Sequence, residues 1–189
     1  MTSDWFLCCI FVQVVASMDS SASKYGAILC PQPPWTEIIN DIGSLLKDLV
    51  AFYNQNLQRT PSRILYYRNG ENDTQFQTVI ETEVASVLKA CKSFNIRCQP
   101  KVNCIVVEKR RHIRFFSRDT DDGNLLKGTL TEFYHCSANA QMGDSRLNRY
   151  VLLSNGDGFT ANQLQEIIYV SCLPCLLCPL CCSERSGVP

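Results

Sequence analysis

The stretch KVNCIVV, beginning at Lys101, is apolar from Val102 to Val107 except for Asn103. It shows neither the spacing of a helix face nor the alternation of a half-exposed strand. It fits a strand covered on both faces. Such a strand is at home in a sheet covered by helices on both faces, as in the α/β class. The segments before it supply them. From Thr36, the residues Ile38, Ile39, Ile42, Leu45, Leu46, Leu49, Val50 and Tyr53 recur at helical spacing, which predicts an amphipathic helix to about Gln58. Glu37 falls in its first turn, where the helix dipole favours a carboxylate. Ile64 to Tyr67 reads as a short strand turned by Asn69-Gly70. Asp73 or Thr74 is placed to cap a second helix, with Phe76, Val79, Ile80, Val84, Val87, Leu88 and Cys91 as its inward face.

Before these lie two apolar runs, Phe11 to Met18 and Tyr25 to Cys30, joined by the polar cluster DSSASK, which predicts a hairpin. After KVNCIVV come the basic run EKRRHIRFF, the acidic loop RDTDDGN, and expected strands at 129–136 and 149–153. Thr160 and Gln163 form a capping box, with Phe159 and Leu164 at the staple positions, for a helix to about Val170. The order is strand, strand, helix, strand, helix, strand, followed by two strands and a helix.

Composition sets limits. With 189 residues, 46% hydrophobic and 19% charged, the chain is globular and long enough for one cored domain. Lys+Arg and Asp+Glu are both 18. Bulk charge therefore gives no attraction to nucleic acid, and any such partner must be met by a local patch. Trp5 to Ala16 is apolar enough to mimic a secretory signal, but no basic residue precedes it and Asp4 does. A buried strand is the preferred reading. The scattered cysteines Cys8, Cys9, Cys30, Cys91, Cys98, Cys104 and Cys136 sit mostly in apolar runs and read as buried thiols, not as a disulfide framework.

Several segments occur in one order: VVASMD, KYGA, EIINDI, RILYYRNG with QFQ, IVVEKRRHIRFF, FYHCS, GDSR and FTANQLQEIIY. Their order and spacing resemble the PIWI domain of Argonaute proteins, over roughly Val14 to Cys172. The resemblance implies an RNase H-like mixed sheet flanked by helices, in an incomplete PIWI domain. It divides the chain into a divergent N-terminal segment (1–13), a PIWI-like domain (14–172) and a cysteine-rich divergent tail (173–189).

The resemblance also implies a role: holding a small guide RNA paired with a target RNA. Some members cut the target with two Mg²⁺ ions, one activating water and one stabilising the leaving oxygen. Mg²⁺ takes hard oxygen donors. Of four ligand positions, the first Asp lies on a strand upstream of the hairpin and is expected to be absent. The second matches Glu37. The third, the Asp after Tyr-Arg, is Asn69. The fourth lies past the last helix, where the chain reads CLPCLLCPLCCSERSGVP. The expectation is a chain with no catalytic residues, vestigial positions at Glu37 and Asn69, no cofactor and no bound metal. With its partners missing, Glu37 is read as a helix-dipole residue.

Binding is what the resemblance leaves. Lys109, Arg110, His112 and Arg114 occupy a segment that contacts the RNA backbone in the family, and basic side chains there suit phosphate oxygens. Ser145 and Arg146 match a second backbone-contacting segment. Two departures weaken the channel: Ala138 stands where a histidine is expected, and KGTLTE lacks another. His135, in an apolar strand, reads as structural. The tail cysteines Cys172, Cys175, Cys178, Cys181 and Cys182 have C-x-x-C spacing that can hold zinc or an iron–sulfur cluster, but no long loop separates two pairs. An apolar tail is preferred over metal binding or palmitoylation.

The sequence reading is thus a non-slicing PIWI-domain protein of RNA-mediated gene silencing. Guide and target RNA are the expected partners, with silencing-complex proteins a further class and no membrane. The cytoplasm, with the nucleus as alternative, is the expected location. Two other readings stand behind it: a truncated fragment that acts through protein partners or has no function, and, last, an RNA endonuclease.

Overall fold

In the computed structural model, which describes residues 10–19, 23–70, 73–94, 99–110, 134–136 and 147–172, the chain opens with the expected hairpin. Strands β1 (Ile10–Ser17) and β2 (Tyr25–Gln32) pair antiparallel, from Ile10 opposite Gln32 to Ser17 opposite Tyr25. Asp19 ties the turn, accepting the backbone N–H groups of Ser23 (2.9 Å) and Lys24 (3.1 Å) and the Ser23 hydroxyl.

Helix α1 spans Ile42–Leu57. It starts later than its apolar spacing suggests, because residues 36–39 are irregular, a turn occupies 40–41, and the Asp41 carbonyl takes the first helical bonds from Ser44 (3.0 Å) and Leu45 (3.1 Å). Glu37 therefore lies outside the helix, and no acidic residue occupies its first turn. That corrects the dipole reading of Glu37. Ile39, Ile42, Leu45, Leu49 and Val50 are buried. The helix ends at Gln58 in a left-handed conformation, φ 51°.

Strand β3 (Arg63–Asn69) runs one residue into the predicted turn. A continuous helical stretch follows: a 3₁₀ turn at Asp73–Gln75, α2 (Phe76–Val79), a π-helical turn at Ile80–Val84, and α3 (Ala85–Ser93). The N-cap of α2 is Gln75, and its side chain makes no capping bond. Neither Asp73 nor Thr74 is that N-cap, as one of them was expected to be. The π-turn inserts a residue and rotates the helix face after it. Val79, Val84, Val87, Ala90 and Cys91 are buried, and so is Glu83, whereas Leu88 is 40% exposed. Leu88 thus leaves the inward face assigned to it.

Helix α1 packs on α3 at close range. A Cβ on Gly43 would meet Ser86 Oγ at 2.7 Å and the Ser86 carbonyl oxygen at 3.0 Å, so only glycine allows this approach.

Strand β4 (Lys101–Arg110) is buried from Val102 through Glu108, as the KVNCIVV run predicts. Its one internal polar residue, Asn103, is satisfied: Nδ2 donates to Asp157 Oδ2 at 2.7 Å, and Oδ1 accepts the Asp157 N–H at 3.2 Å. Strands β5 (Tyr134–Cys136) and β6 (Leu147–Asn155) follow, and β6 pairs antiparallel with both β4 and β5. The sheet order is β3-β4-β6-β5. Lys101 N–H bonds the Ser62 carbonyl at the start of β3 and β4, and Gly70 N–H bonds the Val107 carbonyl at their ends. The two strands therefore run parallel, and the sheet is mixed. Helix α4 (Ala161–Cys172) begins with the predicted capping box. Thr160 N–H donates to Gln163 Oε1 (3.0 Å) and Gln163 N–H to Thr160 Oγ1 (3.4 Å). Ile105, Val107, Tyr150 and Ile168 form a core cluster, flanked by Tyr67, Leu152 and Leu164.

The chain divides into two compact units, residues 1–64 with 74–102 and residues 65–73 with 103–189. The first holds the hairpin, α1 and the α2–α3 stretch. The second holds most of the four-stranded sheet and α4.

Candidate nucleic-acid interface

In the second unit, one end of the sheet gathers several of the residues in question. Asn69 closes β3, its carbonyl accepting Arg68 Nη1 at 3.0 Å. Gly70 follows at φ 80°, a conformation that favours glycine, and is fixed by its bond to the Val107 carbonyl at 3.0 Å. Val107 leads directly into Glu108, Lys109 and Arg110, the last residues of β4. The register sets Glu108 opposite Arg149, Lys109 opposite Asn148 and Arg110 opposite Leu147. The basic end of β4 thus lies against the first residues of β6, and Ser145-Arg146 directly precede Leu147 in the sequence. His112, Arg114, Ser145 and Arg146 lie outside the described residues, as do Ala138, the KGTLTE segment and the tail cysteines beyond Cys172.

An ion network that periodicity alone does not reveal sits at the same end. Arg149 Nη1 bonds Asp73 Oδ1 at 2.9 Å and Glu108 Oε2 at 3.2 Å, and the Glu108 side chain is only 8% exposed. The guanidinium lets β4 carry a carboxylate inside an apolar environment. The sequence signal for Glu108 is its position, a charge closing an apolar run. Its partner becomes visible only with the strand register.

In the first unit, Glu37 is exposed on the segment before α1, and Gln75 Nε2 donates to its carboxylate. The same segment is held from within by Glu83, fully buried in the π-turn, which accepts the Ile39 N–H at 2.7 Å. Of the family positions within the described residues, then, one is a hydrogen-bonded carboxylate and one a neutral amide. Among the described residues, no group of three or more His, Cys, Asp or Glu side chains is placed to hold a metal ion. Of the hard oxygen donors that Mg²⁺ takes, Glu37 offers a carboxylate and Asn69 only an amide oxygen.

Cys91 and Cys104 are buried and Cys30 is half-buried, and none of the three is in a disulfide, in line with the reading of these cysteines as unbridged. Among the described residues, no helix is long and apolar enough to cross a membrane.

A mixed sheet flanked by helices, with a parallel β3–β4 pair crossed by a helical connection and an antiparallel edge, is an RNase H-like α/β fold. A family model described as Piwi domain matches residues 10–176. Rice (Oryza sativa subsp. japonica) protein argonaute 2 is 36% identical over 174 residues, which cover 84% of this chain and 17% of the relative. The C-terminal lobe of a budding yeast Argonaute superposes with a TM-score of 0.74 at 25% identity, covering 83% of this chain and 37% of that one. Kluyveromyces polysporus Argonaute with a guide RNA gives 0.75 at 24% identity, covering 83% and 21%. The chain belongs to the Piwi domain family and is similar to Argonaute proteins, of which it spans a small part.

Proposed function

We propose that this chain binds RNA, a small guide and its target, as a PIWI-domain component of RNA-mediated silencing, and that it does not cut the target. The observation that carries the binding half is the register at the basic end of β4. Lys109 and Arg110 stand opposite the start of β6, so the two segments expected to touch phosphates leave the same end of two paired strands. Phosphate contacts of this kind position a nucleic acid without reading its bases. The relative from Kluyveromyces polysporus, similar in fold, holds a guide RNA. The non-cutting half is supported by Asn69. A neutral amide there leaves too little charge to hold two divalent cations close enough for in-line attack. Guide and target RNA, silencing-complex proteins as further partners, and a cytoplasmic location all belong to this reading.

The test is fluorescence anisotropy with a short 5′-phosphorylated RNA, using the wild-type chain and the Lys109→Ala/Arg110→Ala variant. The expected result is binding by the wild type that weakens several-fold in the variant. A folded wild-type chain with no affinity for the RNA would overturn the binding half. Cleavage of a guide-matched target in the presence of Mg²⁺ would overturn the other.

A further inference from the structure

The chain contains two Asn-Gly pairs, Asn69-Gly70 and Asn155-Gly156, and the structure treats them differently. The Asn155 amide is held at both ends: Nδ2 donates to the Phe159 carbonyl (3.0 Å) and Oδ1 accepts the Phe159 N–H (2.8 Å). Among the described residues, nothing hydrogen-bonds the Asn69 side-chain amide. Its backbone carbonyl accepts Arg68 Nη1 instead. Gly70 is exposed at φ 80°, and a Cβ built there would meet nothing within 4 Å.

We infer that Asn69 is a site of spontaneous deamidation, at which the protein converts an amide into a carboxylate with age. The chemistry needs only water. The Gly70 backbone nitrogen gives up its proton to solvent base and attacks Asn69 Cγ. A C–N bond forms, the bond from Cγ to the side-chain nitrogen breaks, and ammonia leaves. Water then opens the five-membered imide. Addition at the side-chain carbonyl gives Asp, and addition at the main-chain carbonyl gives isoaspartate. The net change is amide plus water to acid plus ammonia.

Glycine favours the attack because no Cβ crowds its nitrogen and its backbone can turn to close the ring. The opposing feature is the Gly70 N–H bond to the Val107 carbonyl at 3.0 Å. It is a single bond at a strand end, and such terminal bonds open at low free energy. At Asn155, two side-chain bonds to Phe159 must break before Cγ can approach Gly156. The site assignment stands on these contacts alone. Its significance rests on the reading of function above, because the new acid would appear at the position where the family resemblance puts a metal-binding Asp.

The experiment is to incubate the purified chain, folded and separately in denaturant, at mildly alkaline pH. Peptide mapping by mass spectrometry follows conversion at both asparagines, and isoaspartate is confirmed by enzymatic methylation. In denaturant the two pairs should convert at similar rates. In the folded chain Asn69 should convert several-fold faster than Asn155. The Asn69→Gln variant should lose the first signal and keep the second. Equal rates in the folded chain, or Asn155 converting first, would overturn the proposal. RNA affinity plays no part in this readout, so a failure here and a failure of the binding reading are separate results.

Discussion

Arg149 illustrates how a single side chain can decide whether a buried charge is tolerable. Glu108 is almost fully enclosed, and the Arg149 guanidinium spans from it to the more exposed Asp73. Removing the cation strips a desolvated carboxylate of its charged partner, which costs more than the pair contributes when intact. Arg149→Met should therefore destabilise the chain by about 2 kcal/mol. Adding Glu108→Gln should restore part of that loss, a coupling that urea denaturation of the two singles and the double would reveal. Strictly additive losses would mean the contact carries no energy. Cys91 gives a second residue-scale outcome. Burial pushes its thiol up from the ordinary value, against a smaller lowering by a backbone hydrogen bond. The unfolded chain ionises the thiol at the ordinary value while the folded chain keeps the proton. Above that value the unfolded state binds fewer protons, so stability falls as pH rises, and below it the contribution is constant. Cys91→Ala should lower stability at every pH through the cavity it leaves, yet flatten the alkaline decline. Stability curves of unchanged slope would contradict this.

At the scale of elements, the approach of α1 to α3 depends on Gly43 having no side chain. Alanine is the better helix former, but its Cβ would meet the Ser86 hydroxyl at 2.7 Å and the Ser86 carbonyl oxygen at 3.0 Å. The hydroxyl can turn away and the carbonyl cannot. Gly43→Ala should thus cost about 1–2 kcal/mol by overpacking, and a second change, Ser86→Ala, should relieve only part of it. Full rescue would place the clash on the hydroxyl alone. This contact was not legible in the sequence, because it depends on which helices meet. The β4 strand was legible, since Val102 to Val107 carry their double-sided burial in composition. The α4 cap was legible too, because Thr160 and Gln163 bond within one turn. The start of α1 was not. Ile38 and Ile39 continue the helical spacing, but the Ile39 N–H goes to Glu83, a residue more than forty positions away. The inward face of α3 slipped for a local reason that periodicity cannot show: the π-turn at 80–84 moved Glu83 in and Leu88 out.

At the scale of the whole molecule, 18 basic and 18 acidic residues leave no net field to draw in RNA. Affinity in the proposed function must then come from a few contacts at the β4–β6 end. That makes the salt dependence diagnostic. Each phosphate neutralised on a single strand contributes about −0.7 to the slope of log K against log salt, through release of condensed counterions. If Lys109 and Arg110 each neutralise one phosphate, their joint replacement by alanine should flatten the slope by about 1.4 as well as weaken binding. A steric or folding defect would lower affinity without changing the slope. The family and the position of the basic run were legible because the ordered segments survive in the sequence. The ion network beside that run was not, because Arg149 and Glu108 are brought together only by strand register. The network also sharpens the test. Arg149 is already committed to two carboxylates, so it is not counted among the phosphate contacts. Arg149→Met, measured under conditions where the variant stays folded, should leave the slope unchanged. A slope reduced by the Arg149 change and untouched by the Lys109/Arg110 pair would move the interface from the end of β4 to the network itself.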